Sequence, residues 1–220
     1  MKVSEIFKSI EGEGLRTGLP AVFIRLHGCN LRCSYCDSMY AVEGNDYKQI
    51  NVAQILDAVK EYGDITHVTL TGGEPLIHPD VEDLLRQLSD IGYRVNIETN
   101  GTIPCKWHFP GLFYTMDWKC KSSGMTAKMK MENLETLGAD DVLKFVVGTV
   151  EDLEETESVI KKLAEKKSDM PHVFVSPVFG KLSNEEIVNW LLNSATMVKN
   201  NARFQVQLHK IIWDPERRGV

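Results

Sequence analysis

Short runs of β-branched and aromatic residues alternate along the chain with segments whose apolar positions recur every three or four residues. The runs predict strands near 21–27, 66–71, 93–99, 112–117, 141–147, 172–178 and 203–211, with a further short strand near Val3 to Phe7. Helical spacing is carried by Val52, Ile55, Leu56 and Val59. It returns in Val81, Leu84, Leu85, Leu88 and Ile91, entered at Pro79 and closed by Gly92. Thr149 with Asp152, and Ser183 with Glu186, have the spacing of capping boxes and open helices predicted near 151–166 and 183–199. Strands alternating with helices imply right-handed crossovers and a parallel sheet, either doubly wound or curled toward a barrel. There is no internal repeat, linker or low-complexity stretch, so residues 1–220 are expected to form one domain.

Polar clusters follow the predicted strands at the same end. They are Gly28 to Ser38, Thr71 to Pro75, Glu98 to Gly101, Asp117 to Lys119 and Ser176 to Phe179, with Gln207 to His209 inside the last predicted strand. In parallel α/β folds the carboxyl ends of the strands are where ligands bind, so these clusters should converge on one pocket. The longest stretches without a pattern, 28–50 and 118–130, belong to the same edge and are expected to carry function.

Composition narrows the reading. With 43% apolar and 25% charged residues in 220, the chain is of ordinary globular type. Twenty-five basic against 31 acidic residues give a formal charge of -6 without a Lys/Arg tract, which argues against nucleic acid as the main partner. No apolar run reaches the roughly 18 residues of a membrane helix, and Met1 to Ile6 lack the apolar stretch of a secretion signal, so a cytoplasmic location is expected. The cysteines number five, an odd count, and Cys29, Cys33 and Cys36 are too closely clustered for a disulfide framework. That cluster reads as metal ligation.

Three soft thiolates suit iron-sulfur chemistry or zinc. A structural zinc site wants four protein ligands and would need Cys105, Cys120 or His27 to close it. Three thiolates on a four-iron cube leave one iron open as a binding position. Cys105 and Cys120 otherwise read as small buried hydrophobes. His67, His78, His108 and His172 have no partner at ligand spacing, and Trp190 falls at core spacing with Ile187 and Leu191.

Cys29-x3-Cys33-x2-Cys36, with Tyr35 in the aromatic slot, resembles the signature of the radical S-adenosylmethionine (SAM) superfamily, and Thr71-Gly72-Gly73-Glu74-Pro75 resembles its second motif. The stretch Ile6 to Gly14, then Pro20 to Cys29, Cys36-Asp37-Ser38, Glu98 to Gly101 and Gln207 to Lys210, is similar to the 7-carboxy-7-deazaguanine synthase family within it. The resemblance implies a compact partial TIM-like α/β barrel with reduced outer helices, a 4Fe-4S cluster on the three cysteines, SAM, and a magnesium ion at Ser38. It implies that a 5'-deoxyadenosyl radical abstracts hydrogen from 6-carboxy-5,6,7,8-tetrahydropterin, that the ring contracts with loss of ammonia to 7-carboxy-7-deazaguanine on the queuosine route, and that SAM is regenerated. Carried over residue by residue, SAM contacts fall on Tyr35, Cys36, Asp37, Gly73, Glu74, Asp117, Trp118, Lys119, Ser176, Pro177, Val178 and Phe179. Asp117 and Trp118 stand where the family often has Ser-Pro, and Ser176 to Phe179 where many relatives have a glutamine followed by proline. Pterin contacts fall on Ile10, Glu11, Gly12, Arg25, Thr71 and the carboxylate of Val220, with Glu13 close by. The physical chemistry agrees: a guanidinium such as Arg25 suits a carboxylate, and carboxylates accept ring N–H groups. The resemblance further implies a homodimer and an electron donor such as flavodoxin or ferredoxin. Two other readings remain open on the residues: a glycyl-radical activating enzyme, and a non-catalytic zinc or iron-sulfur module.

Overall fold

A computed structural model describes residues 1–220. In chain order the main elements are β1 (Lys2–Ile10), β2 (Pro20–Leu26), β3 (Lys48–Gln49), α1 (Val52–Lys60), β4 (His67–Gly72), α2 (Val81–Asp90), β5 (Arg94–Thr99) and β6 (Leu112–Trp118). They continue as α3 (Met131–Leu134), β7 (Val142–Val147), α4 (Val150–Lys166), β8 (His172–Pro177), α5 (Asn184–Asn193), α6 (Ala195–Lys199), β9 (Arg203–Phe204) and α7 (His209–Ile212). All nine strands join one sheet in the order β3-β1-β2-β4-β5-β6-β7-β8-β9. From β2 to β9 every pairing is parallel, whereas β1 runs antiparallel to both β2 and β3. No ladder joins β9 to β3, so the barrel stays open on one side. The β5 to β6 crossover carries no helix and the β6 to β7 crossover only two three-residue 3-10 turns and the four-residue α3, which is the reduction of outer helices expected of this fold.

The sheet curves strongly. Glu13, just past β1, reaches Lys144 on β7 at 3.0 Å, although β1 and β7 are five strand spacings apart in the sheet, about 24 Å if it were flat. Alternation sorts the side chains by face. Val68 and Leu70, Val95 and Ile97, Tyr114, Met116 and Trp118, and Leu143, Phe145 and Val147 are buried in the outer, apolar layer. Their neighbours in the strands, Thr69, Thr71, Asn96, Glu98, Thr115, Asp117 and Lys144, turn to the concave side. A parallel strand covered on both sides normally reads as an unbroken apolar run. Here the polar member of each pair marks the interior of the barrel, where the site lies.

Three sequence expectations change. The strand expected over 203–211 ends at Phe204, because the backbone leaves the ladder to bond the amino-terminal loop: the Leu208 N–H donates to the Gly12 carbonyl at 3.1 Å, and α7 follows. Gln207 and His209 are therefore on an irregular turn and a short helix, not within a strand. The helix expected over 183–199 divides at Ser194, whose extended backbone ends α5 while its hydroxyl accepts from the Met197 N–H to cap α6 and donates to Glu157. The amino-terminal strand is longer than expected at nine residues, held by the Phe7 and Phe23 rings stacked at 5.1 Å and by Glu5 opposite Arg25. Both predicted capping boxes form, and Asn51 with Gln54 makes a third.

Candidate active site

The strand carboxyl ends open into a cavity of about 750 Å³. The three-cysteine loop forms one wall. Its entry is fixed where the Gly28 N–H donates to Ala41 O at 2.7 Å. Its far side rests on the stretch after β6: the Ser34 N–H donates to Ser123 O at 3.0 Å, and the Ser34 hydroxyl donates to Ser122 O at 2.6 Å. The Tyr35 hydroxyl donates to Val146 O at 3.2 Å. That supporting stretch is clamped to α4 in turn. Asp152 accepts from the Ser122 and Gly148 N–H groups, and Glu155 from Trp118 Nε1 and the Lys121 N–H. Residues 118–130 thus buttress the cysteine loop.

Cys29, Cys33 and Cys36 are half-buried and line the cavity together. The residues that could close a zinc shell are committed elsewhere. Cys105 and Cys120 are buried in the apolar core, and His27 is buried with Ser4 at its Nδ1 and Tyr47 against its ring. Three thiols with no fourth fit a cube with one open iron.

The glycine pair after β4 has a sharper role than a flexible turn. A Cβ on Gly72 would stand 2.1 Å from Leu26 O, and one on Gly73 would stand 2.2 Å from Gly28 O and 2.9 Å from Cys29 Cβ. Gly72 also takes φ +146. Only glycine lets the end of β4 lie against the start of the cysteine loop. Glu74, next in sequence, is fully buried and accepts from the Leu76 N–H (2.9 Å), the Asn100 N–H (2.6 Å) and the Thr99 hydroxyl (2.9 Å). Burial raises its carboxyl to about 7 against those three donors.

Charge is concentrated on the cavity floor. Lys144, 7% exposed, bonds Glu13 at 3.0 Å and Asp117 at 3.3 Å, and Lys119 holds the other Asp117 oxygen at 3.0 Å. Burial disfavours the Lys144 ammonium, but Asp117 and Glu13 hold it well above the usual lysine range. Glu98 lines the same floor with its carboxyl raised, chiefly by burial and against the pull of Lys144. Arg25 donates through Nε to Glu5 at 2.7 Å, and the Tyr40 hydroxyl donates to the same oxygen at 2.6 Å. At the rim, burial acts against Asp37, yet Lys210 at 3.2 Å and the Ser38 hydroxyl at 3.0 Å bring its carboxyl down to about 2. The carboxyl-terminal stretch closes the far wall, Pro215 to Val220 and His209 all facing in.

Residues 23–107 match the model of the radical SAM superfamily. A 7-carboxy-7-deazaguanine synthase from Clostridium acetobutylicum is 42% identical over 100% of this chain and 99% of its own length. One from Methanospirillum hungatei is 41% identical over 98% of this chain and 86% of its own. The chain belongs to the 7-carboxy-7-deazaguanine synthase family. The crystal structure of QueE from Escherichia coli is similar in fold, with a TM-score of 0.75 and 25% identity over 94% of both chains.

For a member of this synthase family, the residues singled out from the sequence divide cleanly. Ile10, Gly12, Arg25, Cys29, Cys33, Tyr35, Cys36, Asp37, Ser38, Thr71, Gly73, Asp117, Lys119, Val178, Phe179 and Val220 all line the cavity. Five others do not. Glu11 is buried one layer deeper, its carboxylate accepting from the Thr69 hydroxyl. Glu74 is enclosed behind the glycine turn, and Trp118, by alternation with Asp117, points out to Glu155. Ser176 is buried with its hydroxyl unpaired, and Pro177 faces a neighbouring groove of about 410 Å³. The sequence places Glu98 and His209 in clusters at the pocket edge and Lys210 in a family-like stretch without giving any of them a role, and it does not single out Lys144; all four line the cavity. The parity signal was present: Glu98 and Lys144 are the polar members of alternating strands. What the fold adds for His209 is its packing where a Gly12 side chain would stand, 2.7 Å from that Cβ position.

Proposed function

We propose that this chain is a radical SAM lyase that converts 6-carboxy-5,6,7,8-tetrahydropterin to 7-carboxy-7-deazaguanine with loss of ammonia. The observation that carries the reading is the convergence of three free thiols, with no fourth protein ligand, and a floor of charged side chains on one cavity. Bound to Cys29, Cys33 and Cys36, a 4Fe-4S cluster with SAM on its open iron would supply one carbon-centred radical per turnover. The overall conversion loses one ammonia and is otherwise unchanged in composition, so it draws on no net oxidant. The protein's share is to bind, orient and exclude water.

Arg25 is the residue for the pterin carboxylate. Its Nε is held by Glu5, which leaves the two terminal nitrogens for a bidentate contact. Glu98 and Glu13 offer carboxylates to the ring N–H groups and exocyclic amine, and Lys144 beside both compensates their charge. Gly12 and Ile10 would lie against the ring, Thr71 beside it, and Val220 above it. For SAM, Tyr35, Cys36, Asp37, Gly73, Asp117 and Lys119 are the polar and backbone wall, while Val178 and the exposed Phe179 form an apolar rim. Magnesium prefers hard oxygens and keeps several waters, and Ser38 with Asp37 supplies such oxygens at the rim. Glu11 and Glu74, enclosed beneath the floor, act by holding Thr69 and the turn at Thr99 and Asn100.

The working state would be a cytoplasmic homodimer fed by a one-electron donor such as flavodoxin or ferredoxin. No helix in the chain is long and apolar enough to cross a membrane. Anaerobic reconstitution with iron and sulfide, then incubation with SAM, reductant, magnesium and the carboxypterin, tests the reading. 7-Carboxy-7-deazaguanine should accumulate beyond the SAM consumed. Formation of 5'-deoxyadenosine without the deazaguanine would retain the radical chemistry and overturn the substrate.

A further inference from the structure

The turn after β5 touches the cysteine loop through two side chains, Asn100 and Thr102. Asn100 Nδ2 lies 3.6 Å from Cys29 Sγ and 2.9 Å from Asn30 Oδ1. Which end of the amide faces the thiol is settled by its other contacts. The Thr102 backbone N–H can only donate, and it meets Asn100 Oδ1 at 3.0 Å; the Thr102 hydroxyl donates to the same oxygen at 2.7 Å. Asn30 Nδ2 then donates to that hydroxyl at 2.8 Å. The three side chains close a ring in which each bond polarises the next: Asn30 to Thr102, Thr102 to Asn100, and Asn100 back to Asn30. One Nδ2 hydrogen of Asn100 is used in the ring, and the second is left for the thiol. The backbone beneath is fixed as well, since the Asn100 N–H and the Thr99 hydroxyl both donate to buried Glu74.

Cys29 also receives the Leu31 backbone N–H at 3.4 Å, a bond internal to the cysteine loop. Asn100 is the side chain that brings a donor to a motif thiol from outside the loop. Hydrogen bonds to cluster sulfurs are among the levers by which a protein sets the potential of an iron-sulfur centre. A donor stabilises the more negative, reduced state more than the oxidised one. From this geometry we infer that Asn100 is a positioning residue that raises the reduction potential of the cluster through Cys29, with Thr102, Asn30 and Glu74 fixing its amide. The inference rests on the cluster in the proposed function.

The test is a redox titration of the reconstituted protein without SAM or substrate, followed by the electron paramagnetic resonance signal of the reduced cluster and normalised to iron content. Asn100→Leu keeps the side-chain size and removes the donor. It should lower the reduced-to-oxidised ratio at a fixed potential by up to about tenfold, which for a one-electron couple is a downward shift of about 59 mV. If the leucine variant does not take up iron, Asn100→Asp, which keeps the amide's shape, is read in its place, and its added negative charge should lower the potential further. Loss of thermal stability with the potential unchanged in whichever variant holds a cluster would make Asn100 a purely structural residue and overturn the inference. A parent protein that takes up no cluster would overturn the proposed function itself, so the two failures are distinguishable.

Discussion

Replacing Lys144 by methionine removes the one ammonium shared by Glu13 and Asp117. The side chain is 7% exposed, Glu13 is 11% and Asp117 22%, so little water is available to take its place. Glu13 would lose its one ion pair, Glu98 would lose the nearby ammonium, and Asp117 would keep only Lys119. Removing one partner of a buried ion pair typically costs about 3–5 kcal/mol, because the remaining charge stays desolvated. For a domain of this size each kcal/mol corresponds to about 2–4 °C in melting temperature, so a fall of about 6–20 °C is expected near pH 8. The sign of the pH dependence is separate evidence. Glu98 is already raised by burial, and loss of Lys144 raises it further. A carboxyl whose folded pKa lies above its unfolded one destabilises the fold at high pH and recovers as the pH falls through the folded value. The variant should therefore regain stability relative to the parent between pH 8 and pH 5, and Glu13→Gln added to it should restore part of the loss at pH 8. Calorimetry on both proteins, prepared identically across that range, is the assay. A melting temperature within about 2 °C of the parent, or a deficit independent of pH, would refute the reading of Lys144 as a shared counter-charge.

Other perturbations follow from the same geometry. Gly73→Ala places a Cβ 2.2 Å from Gly28 O, so the cysteine loop must shift; iron uptake should fall severely while far-ultraviolet circular dichroism stays near that of the parent. Glu11 is raised to about 7, first by burial and then by Glu98, and its ionisation therefore destabilises the fold increasingly from about pH 4.5 to pH 7. Glu11→Gln should abolish that slope and stabilise the protein above pH 7 by up to ~3 kcal/mol, read by urea unfolding at pH 5 and pH 8. Arg25→Lys keeps the charge but loses the planar fork, and should raise KM for the carboxypterin at least about tenfold with a smaller effect on kcat in steady-state assays.

Much of the site was legible because the barrel puts strand carboxyl ends in one place. Cys29, Cys33, Cys36, Thr71 and Gly73 could be assigned to a common edge because each follows a predicted strand, Arg25 was assigned by its chemistry and the family resemblance, and the structure brings all six to one cavity. What escaped was orientation. Asp117 and Trp118 are adjacent in sequence, but alternation sends one to the floor and the other to α4. Glu74 reads as a polar loop residue, yet it is enclosed because its three donors come from segments 2 and about 25 positions away. The last predicted strand failed for a related reason: Val206 and Leu208 have the alternation of a strand, but the Leu208 N–H is claimed by Gly12, nearly 200 positions earlier. No local pattern encodes a bond of that separation. The Gln205 amide, which accepts from the Gly14 N–H at 2.7 Å and lies 3.3 Å from Glu13, is hidden in the same way.

The most direct measurement on the central claim is electron paramagnetic resonance of the anaerobically reconstituted, reduced protein with and without SAM. Three protein thiolates and an open iron should give a 4Fe-4S signal that changes on addition of SAM and vanishes in Cys33→Ala. A cluster signal unmoved by SAM, or a colourless protein holding zinc, would contradict it.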